Sequence, residues 1–159
     1  MLYDNILVPY DGSPSARAAL AEAVRFAKDD PGLTLHVVQI ADMEQLVIDK
    51  LEAEGRDYAT VSASDDLRAT HDEVVAEAQE RLERQVDGVT HGLMNKAVAE
   101  LLEEVNPGPQ IVDYAVGHDC DLIVMGSRGL GALRGIIGSV SSYVLRNADV
   151  PVLIVKHID

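Results

Sequence analysis

Residues 126–139, GSRGLGALRGIIGS, combine five glycines with two arginines in one short stretch. Because glycine has no side chain, its backbone N–H groups can approach an anion closely, and the Arg128 guanidinium suits bidentate contact with a phosphate. The composition of this segment therefore predicts a phosphate-binding loop. A second interpretation stays open from these residues alone, since glycines also serve simply to form a tight loop.

The spacing of these glycines differs from two familiar nucleotide-binding motifs. The dinucleotide pattern G-x-G-x-x-G requires a glycine three residues after Gly131, where the chain has Arg134, and Gly135 comes one position too late. The lysine of a P-loop follows none of the glycines. We therefore expect neither a dinucleotide fingerprint nor a P-loop.

The chain as a whole carries the opposite charge to this loop. Its 27 acidic and 13 basic residues give a formal net charge of -14 over 159 residues. Such a surface repels nucleic-acid backbones and anionic membranes, so we expect neither as a partner. The N-terminus lacks the features of a signal peptide and no apolar run is long enough to span a membrane, which predicts a cytoplasmic protein. The length predicts a single domain over residues 1–159.

The elements that must position the loop alternate between strands and helices. NILVPY at residues 5–10 predicts a buried strand, and the turn DGSPS leads into a helix with Ser13 as its N-cap and Pro14 at its first position. Residues 33–40 predict a second strand. Residues 41–64 allow a short helix, but EGRDYATVSAS breaks the pattern and predicts a crossing segment without an assigned structure.

The second half of the chain continues this alternation. We expect, in order, a helix over residues 65–89, strands over 97–105 and 120–126 with a helix between them, a helix capped by Ser139, and a strand over 150–156. Five strands alternating with helices predict a three-layer α/β/α sandwich. Its five-stranded sheet is expected to be mainly parallel and Rossmann-like, in the order 3-2-1-4-5.

Two loops of this fold carry the unusual residues. In such a sheet, ligands bind beyond the carboxyl ends of the strands, where the strand order reverses. PYDGS follows the first strand and the glycine-rich segment follows the fourth, so we expect the two loops to face each other. A helix that begins at Ser139 would aim free N–H groups and its positive dipole end at an anion there.

Five segments resemble the universal stress protein family in order, spacing and content: NILVPYDGSPSARAALAEAVRFA, LHVVQI, NPGPQIVDYA, CDLIVMGSRGLG and GSVSSYVLRNADVPVLIVK. The resemblance covers most of the chain except about residues 41–90. The ATP-binding branch of the family carries the pattern G-x2-G-x9-G-[S/T]. Gly126 and Gly129 match its first two glycines, and Gly138 and Ser139 match its last pair. Eight residues instead of nine separate Gly129 from Gly138, so this loop is one residue shorter.

The resemblance implies a nucleotide site built from three parts of the chain. The residues that it places on the adenine and ribose side are Pro9, Tyr10, Asp11 and Val37, the last of which would meet the adenine edge through its backbone. Those that it places on the path to the phosphates are Met125, Gly126, Arg128 and Gly129. Those that would hold the phosphates through N–H and hydroxyl groups are Gly138, Ser139, Val140 and Ser141. Each has a structural alternative, since Asp11 or Ser139 can simply cap a helix and Val37 can belong to the core.

The other reactive residue types are expected to be structural. His36 lies within a strand and fits a hydrogen-bonded core histidine, and the remaining histidines have no partner at metal-ligand spacing, so we expect no metal site in the protein. Cys120 precedes an apolar strand and is expected to be buried and inert. Arg134 is interpreted as a solvated loop charge. No nucleophile with an adjacent base is evident, which predicts no catalytic residues and at most slow ATP hydrolysis.

The function implied by these observations is that of an ATP-binding stress-response or regulatory protein. ATP occupancy would modulate a dimer or its partner contacts, and Mg²⁺ or Mn²⁺ would bind through the phosphates. We expect a homodimer through the last strand, which begins at Val150 and ends at Lys156. The alternative is a dimeric interaction or chaperone-like module that binds no nucleotide. A nucleotidyl-transfer enzyme ranks last, because it would need catalytic residues that the sequence does not offer.

Overall fold

Strands and helices alternate along the chain in the computed structural model, which describes residues 2–62, 65–128 and 137–157. The strands are β1 (Asn5–Pro9), β2 (Thr34–Ala41), β3 (Ala97–Glu103), β4 (Leu122–Gly126) and β5 (Val152–Val155). The helices are α1 (Pro14–Asp29), α2 (Met43–Ala53), α3 (Tyr58–Val61), α4 (Asp66–Thr90), α5 (Pro107–Gly117) and α6 (Ser139–Asn147). None of the helices in these ranges is both long and apolar enough to cross a membrane.

The five strands form one parallel sheet in the order β3-β2-β1-β4-β5. This confirms the predicted fold class and strand order. The chain builds outwards from β1 in one direction through β2 and β3, then returns to the other side of β1 for β4 and β5. The strand order therefore reverses between β1 and β4, which places a crevice at the carboxyl ends of these two strands.

Apolar side chains cover both faces of the sheet, as expected for parallel strands between two helix layers. On one face, Ile6, Val8 and Val37 pack in a core cluster with residues of α1 and α4. On the other face, Leu7 and Val38 pack in a cluster with residues of α5 and α6. Neighbouring residues of one strand thus serve opposite faces, because side chains alternate along a strand.

The region that the sequence left unassigned begins with a helix. Asp42 caps α2, its carboxylate accepting the Gln45 N–H at 3.1 Å, and the buried Met43, Val47 and Leu51 recur at helical spacing. These residues pack against Val61 of α3 and Val74 of α4, among others. The short helix allowed by the sequence is therefore present, and α2 is held by a third apolar cluster beside the sheet.

Two helix caps were predicted, and one of the predictions was wrong. Ser13 caps α1 as expected, its hydroxyl oxygen accepting the Ala16 N–H at 3.2 Å. Ser139, expected to cap α6, is instead the first helical residue, and the N-cap is Gly138. The cause is a contact outside the helix: the Gly138 N–H donates to the Ser127 carbonyl at 2.7 Å, which holds Gly138 in an extended conformation just before the first turn.

A side chain from α4 occupies the outer edge of β3. The Gln79 amide donates through Nε2 to the Ala99 carbonyl at 2.9 Å, and its Oε1 accepts the Leu101 N–H at 3.0 Å. One amide group thus supplies the donor and the acceptor that a neighbouring strand would otherwise provide. At the opposite edge of the sheet lies β5, which pairs with β4.

Candidate functional site

A cavity of about 470 Å³ opens at the crevice between the carboxyl ends of β1 and β4. The predicted site residues that line it are Pro9, Tyr10, Asp11, Met125, Gly126, Arg128, Gly138, Ser139, Val140 and Ser141. These residues come from the loop after β1, from β4 and its following loop, and from the start of α6. The structure thus brings together segments that are more than a hundred positions apart in the chain.

Two predicted site residues are not among the lining residues, for different reasons. Val37 is fully buried on the face of the sheet that packs against α1, so its side chain points away from the cavity. Its neighbour Val38 is on the opposite face and lines the cavity instead. Gly129 lies outside the described residues, as does Arg134.

Apolar residues that the sequence did not single out complete the cavity wall. They are Ala16, Val38, Ile40, Pro107 and Ile111. Val38 and Ile40 share one face of β2, and Pro107 and Ile111 share one face at the start of α5. The alternation of polar and apolar residues in LHVVQI is weak and did not single out Val38, and nothing local to the sequence indicates that α5 approaches this edge of the sheet.

The backbone of residues 126–128, which we call the loop junction, is held by three different elements. Two contacts come from α6 and its cap: the Ser141 hydroxyl donates to the Gly126 carbonyl at 2.8 Å and the Gly138 N–H to the Ser127 carbonyl. From α1, the Ser13 and Ser15 hydroxyls both donate to the Arg128 carbonyl. The Ser127 N–H donates to the Val155 carbonyl at 3.0 Å, extending the β4–β5 pairing. The start of the glycine-rich segment is therefore firmly positioned.

These contacts change the expected set of phosphate donors. The Gly138 N–H and the Ser141 hydroxyl are already used within the protein, so neither is a ready donor to a ligand. The N–H groups of Ser139, Val140 and Ser141 lie in the first turn of α6, where no acceptor exists within the helix. Together with the positive end of the helix dipole, this turn is the part of the cavity wall suited to an anion.

The residues after β1 form the opposite wall. The Tyr10 N–H donates to the Val38 carbonyl at 2.8 Å, and burial of the Tyr10 phenol raises its pKa, so the hydroxyl stays neutral at neutral pH. Asp11 is half-buried, and its Oδ1 accepts the Ser13 N–H at 2.9 Å. That contact leaves the other carboxylate oxygen of Asp11 available to a hydroxyl donor on a ligand.

Arg128 supplies the positive charge of the site. Among the lining residues that the structure describes, it is the only cation and Asp11 is the only carboxylate. The Arg128 Nη2 donates to the backbone carbonyl of His157 at 3.3 Å. Arg128 therefore belongs to the cavity wall and also contacts the segment that follows β5.

The two structural residues predicted from the sequence have the expected environments. His36 is 9% exposed and its Nδ1 lies 3.3 Å from the Tyr114 hydroxyl, which donates to Glu100 at 2.9 Å. Burial is the main cause that lowers the pKa of His36. Cys120 is buried, and its burial raises the thiol pKa to about 11, so the reactive thiolate is disfavoured. Within residues 2–62, 65–128 and 137–157, no three His, Cys, Asp or Glu side chains are placed to hold a metal ion.

Fold and cavity together define a doubly wound α/β protein with a ligand crevice at its topological switch point, the place where this class binds nucleotides and related molecules. The model of the Universal stress protein family matches residues 2–156. The chain therefore belongs to the universal stress protein family, and the resemblance noted in its sequence is confirmed.

Relatives agree with this assignment along nearly the whole chain. Universal stress protein MJ0531 of Methanocaldococcus jannaschii is 32% identical over 156 residues, which span 98% of this chain and 83% of the relative. Universal stress protein UspA from Lactobacillus plantarum superposes with a TM-score of 0.72 at 27% identity, covering 96% of this chain and 97% of that one. A universal stress protein from Archaeoglobus fulgidus, solved in complex with dAMP, superposes with a TM-score of 0.55 at 25% identity, covering 98% and 100%.

Proposed function

We propose that this protein binds ATP in the cavity between β1 and β4, and that ATP occupancy changes its contacts with a second copy or another partner. The observation that carries the proposal is the convergence of the predicted site residues from three chain segments on one cavity. A relative solved in complex with dAMP supports an adenine nucleotide as the ligand class.

The apolar part of the cavity suits an adenine base. Pro9, Val38 and Met125 are contributed by three adjacent strands, and Ile111 of α5 approaches from above the sheet. Flat apolar walls of this kind bury the faces of an aromatic ring, while a few polar groups at the rim orient it. The free oxygen of Asp11 is then positioned to accept a hydrogen bond from a ribose hydroxyl.

The polar part of the cavity suits the phosphates. The first-turn N–H groups of α6, the hydroxyl of Ser139 and the guanidinium of Arg128 all belong to the same wall. Because Asp11 is the only carboxylate in the described lining, a Mg²⁺ or Mn²⁺ ion that accompanies ATP would be coordinated mainly by phosphate oxygens. This arrangement concentrates positive potential inside a protein whose net charge is -14.

The same wall favours binding over rapid catalysis. The described lining contains neither a histidine nor a lysine that could serve as a base or stabilise a transferred phosphoryl group. We therefore propose a binding and regulatory role in the stress response, with ATP hydrolysis slow if it occurs.

Titration calorimetry with ATP tests the proposal on the wild type and on Gly138→Val. Gly138 has φ -62° and ψ 161°, which valine adopts, so the fold should be retained while the new side chain crowds the cavity. We expect the affinity for ATP to fall by more than about tenfold, a loss of roughly 1.4 kcal/mol or more. Gly117→Val is the matched control: an added Cβ there meets open space at the end of α5, away from the cavity, and ATP binding should be unchanged.

A second candidate function is favoured by two specific observations. The glycine loop is one residue shorter than the family pattern, and the Gly138 N–H and the Ser141 hydroxyl are already satisfied within the protein. If the wild type shows no saturable binding at millimolar ATP and releases no nucleotide on denaturation, as identified by mass, the protein is better described as an interaction module that binds no nucleotide.

A further inference from the structure

The Arg128 side chain connects the cavity to the end of the outer strand. Arg128 is one of the residues that line the cavity, and its Nη2 donates to the carbonyl of His157, two residues beyond the last residue of β5. One residue, Arg128, therefore belongs to the cavity wall and also contacts the chain segment after β5.

The backbone that carries Arg128 does not move independently of either region. The loop junction is bonded to the start of α6 through Ser127 and to β5 through the Ser127 N–H and the Val155 carbonyl. The Ser13 and Ser15 hydroxyls hold the Arg128 carbonyl from the side of α1. Its backbone is thus fixed at the cavity, and its guanidinium is held at the other end by the His157 carbonyl.

The chemistry of the guanidinium allows both contacts at once. It presents five N–H donors in a planar fork, so one N–H on a carbonyl leaves the others for an anion. The carbonyl contact also orients the fork before a ligand arrives, which reduces the conformational entropy that phosphate binding must overcome. The two contacts are thermodynamically linked: if the bond to the His157 carbonyl strengthens phosphate binding, phosphate binding strengthens that bond by the same factor.

We propose that Arg128 couples ATP occupancy of the cavity to the order of residues 155–157 at the end of β5. The inference rests on the proposed function, because it requires a phosphate in the cavity. A phosphate that binds the guanidinium holds it against the His157 carbonyl, so ATP stabilises the end of the strand that forms the outer edge of the sheet. ATP binding thereby changes the order of an outer sheet edge to which a partner can bind, without a change in fold.

Amide hydrogen exchange of a peptide covering residues 150–157, with and without saturating ATP, tests the coupling. In the wild type we expect ATP to slow exchange in this peptide by about threefold or more, since opening of the segment then also breaks a charge-assisted contact. Arg128→Lys keeps the positive charge but has a single ammonium in place of the fork. We expect it to bind ATP about tenfold more weakly and, at saturating ATP, to lose the slowing.

Arg146→Lys is the matched control, because Arg146 lies in the last turn of α6 and is not part of the cavity wall. It should show the wild-type affinity and the wild-type slowing. Calorimetry on the same samples measures ATP binding separately from its effect on residues 155–157. If the wild type binds ATP but exchange in residues 150–157 is unchanged, or if Arg128→Lys retains the full slowing, the coupling is wrong and the proposed function stands. If the wild type binds no ATP, both are overturned.

Discussion

Gly126, the first glycine of the predicted phosphate loop, is required by packing before any ligand is considered. A Cβ built on it would meet the carbonyl carbon of Ser15 at 2.7 Å and the backbone nitrogen of Ala16 at 2.9 Å. These are backbone atoms of the first turn of α1, which cannot move aside as a flexible side chain can. The end of β4 and the start of α1 therefore approach each other as closely as they do because residue 126 has no side chain.

Gly126→Ala should destabilise the fold, whereas the same change at Gly88 should stabilise it. We expect Gly126→Ala to lower the free energy of unfolding by about 1–3 kcal/mol, since the helix and strand must separate. Gly88 lies inside α4 with open space around its added Cβ, so Gly88→Ala should raise the free energy of unfolding by about 0.5–1 kcal/mol. Urea denaturation of both variants measures the difference. If Gly126→Ala unfolds with the same free energy as the wild type, the close approach of β4 and α1 at Gly126 relaxes without cost.

Much of the candidate site was predictable residue by residue, and the exceptions share a physical cause. The loop after β1 and the glycine-rich segment were recognised because their residue types are unusual after strands. Val37 was predicted from the family resemblance as a backbone contact to adenine, and that contact stays a prediction. Its side chain lies on the face opposite the one that carries Val38, because a shift of one residue along a strand reverses the face. The Gly138 N–H was expected to bind a phosphate, because its partner, the Ser127 carbonyl, lies eleven positions earlier in the chain and no local pattern indicates the contact.

At the scale of elements, β2 and α5 are joined through a buried polar contact. The Tyr114 hydroxyl donates to Glu100 of β3, so its oxygen is free to accept from the Nδ1–H of a neutral His36. The Tyr114 ring also stacks on His118, with ring centroids 3.7 Å apart. Burial lowers the pKa of His36, and the charges of His118 and Lys96 lower it further while Glu100 opposes them. The fold is thus built around the neutral form of this imidazole.

The contribution of His36 to stability should be lost in mild acid. Its pKa in the unfolded chain is near 6.5 and lies lower in the folded protein, so the unfolded state binds more protons between these two values. The free energy of unfolding is therefore expected to fall as the pH drops below about 6.5, by at most about 1.4 kcal/mol per pH unit from this group.

His36→Gln removes this titration while keeping a polar side chain. Chemical denaturation of the wild type and the variant between pH 5 and 8 should give stability curves that converge as the pH falls below about 6.5. A constant difference across the whole range would contradict the prediction, because it would mean that His36 has the same pKa in the folded and unfolded states.

The elements that the sequence predicted least well are those held by contacts from elsewhere. Most strands and helices follow from apolar runs and helical periodicity, whereas residues 97–105 are ambiguous by composition and are assigned as a strand from their place in the alternating order. The single turn of α3 has little periodicity to detect. Its N-cap is Asp57, whose carboxylate accepts the Ala59 N–H at 3.2 Å, and Val61 is buried against α2 and α4. A short helix of this kind depends on neighbours that a local pattern does not contain.

At the scale of the whole molecule, β5 is the strand through which two copies are expected to pair. Leu153 of this strand is 36% exposed, and β4 is its only neighbour in the part of the sheet that the structure describes. Pairing with the same strand of a second copy would satisfy its outer hydrogen-bonding groups and cover apolar side chains.

Size-exclusion chromatography with light scattering at micromolar concentration tests this expectation by measuring the molar mass. The wild type should be a dimer, and Leu153→Lys should shift it towards the monomer, because a charge on an edge strand opposes pairing. Val89→Lys is the matched control, since Val89 is 42% exposed on α4, the helix that contacts β3 at the opposite edge of the sheet, and its variant should remain dimeric. A wild type that is monomeric at these concentrations would refute pairing through β5.

The Gln79 amide limits how far such pairing can extend. In polymer terms, a growing chain needs monomers with two reactive ends, and one blocked end turns a monomer into a chain terminator. Here the Ala99 carbonyl and the Leu101 N–H on the outer side of β3 are already bonded to the Gln79 side chain, so strand-to-strand addition is less favourable at β3 than at β5. Joining two copies at β5 leaves a particle in which Gln79 obstructs both outward edges, which favours assembly of a finite size over growth into a fibre by this route.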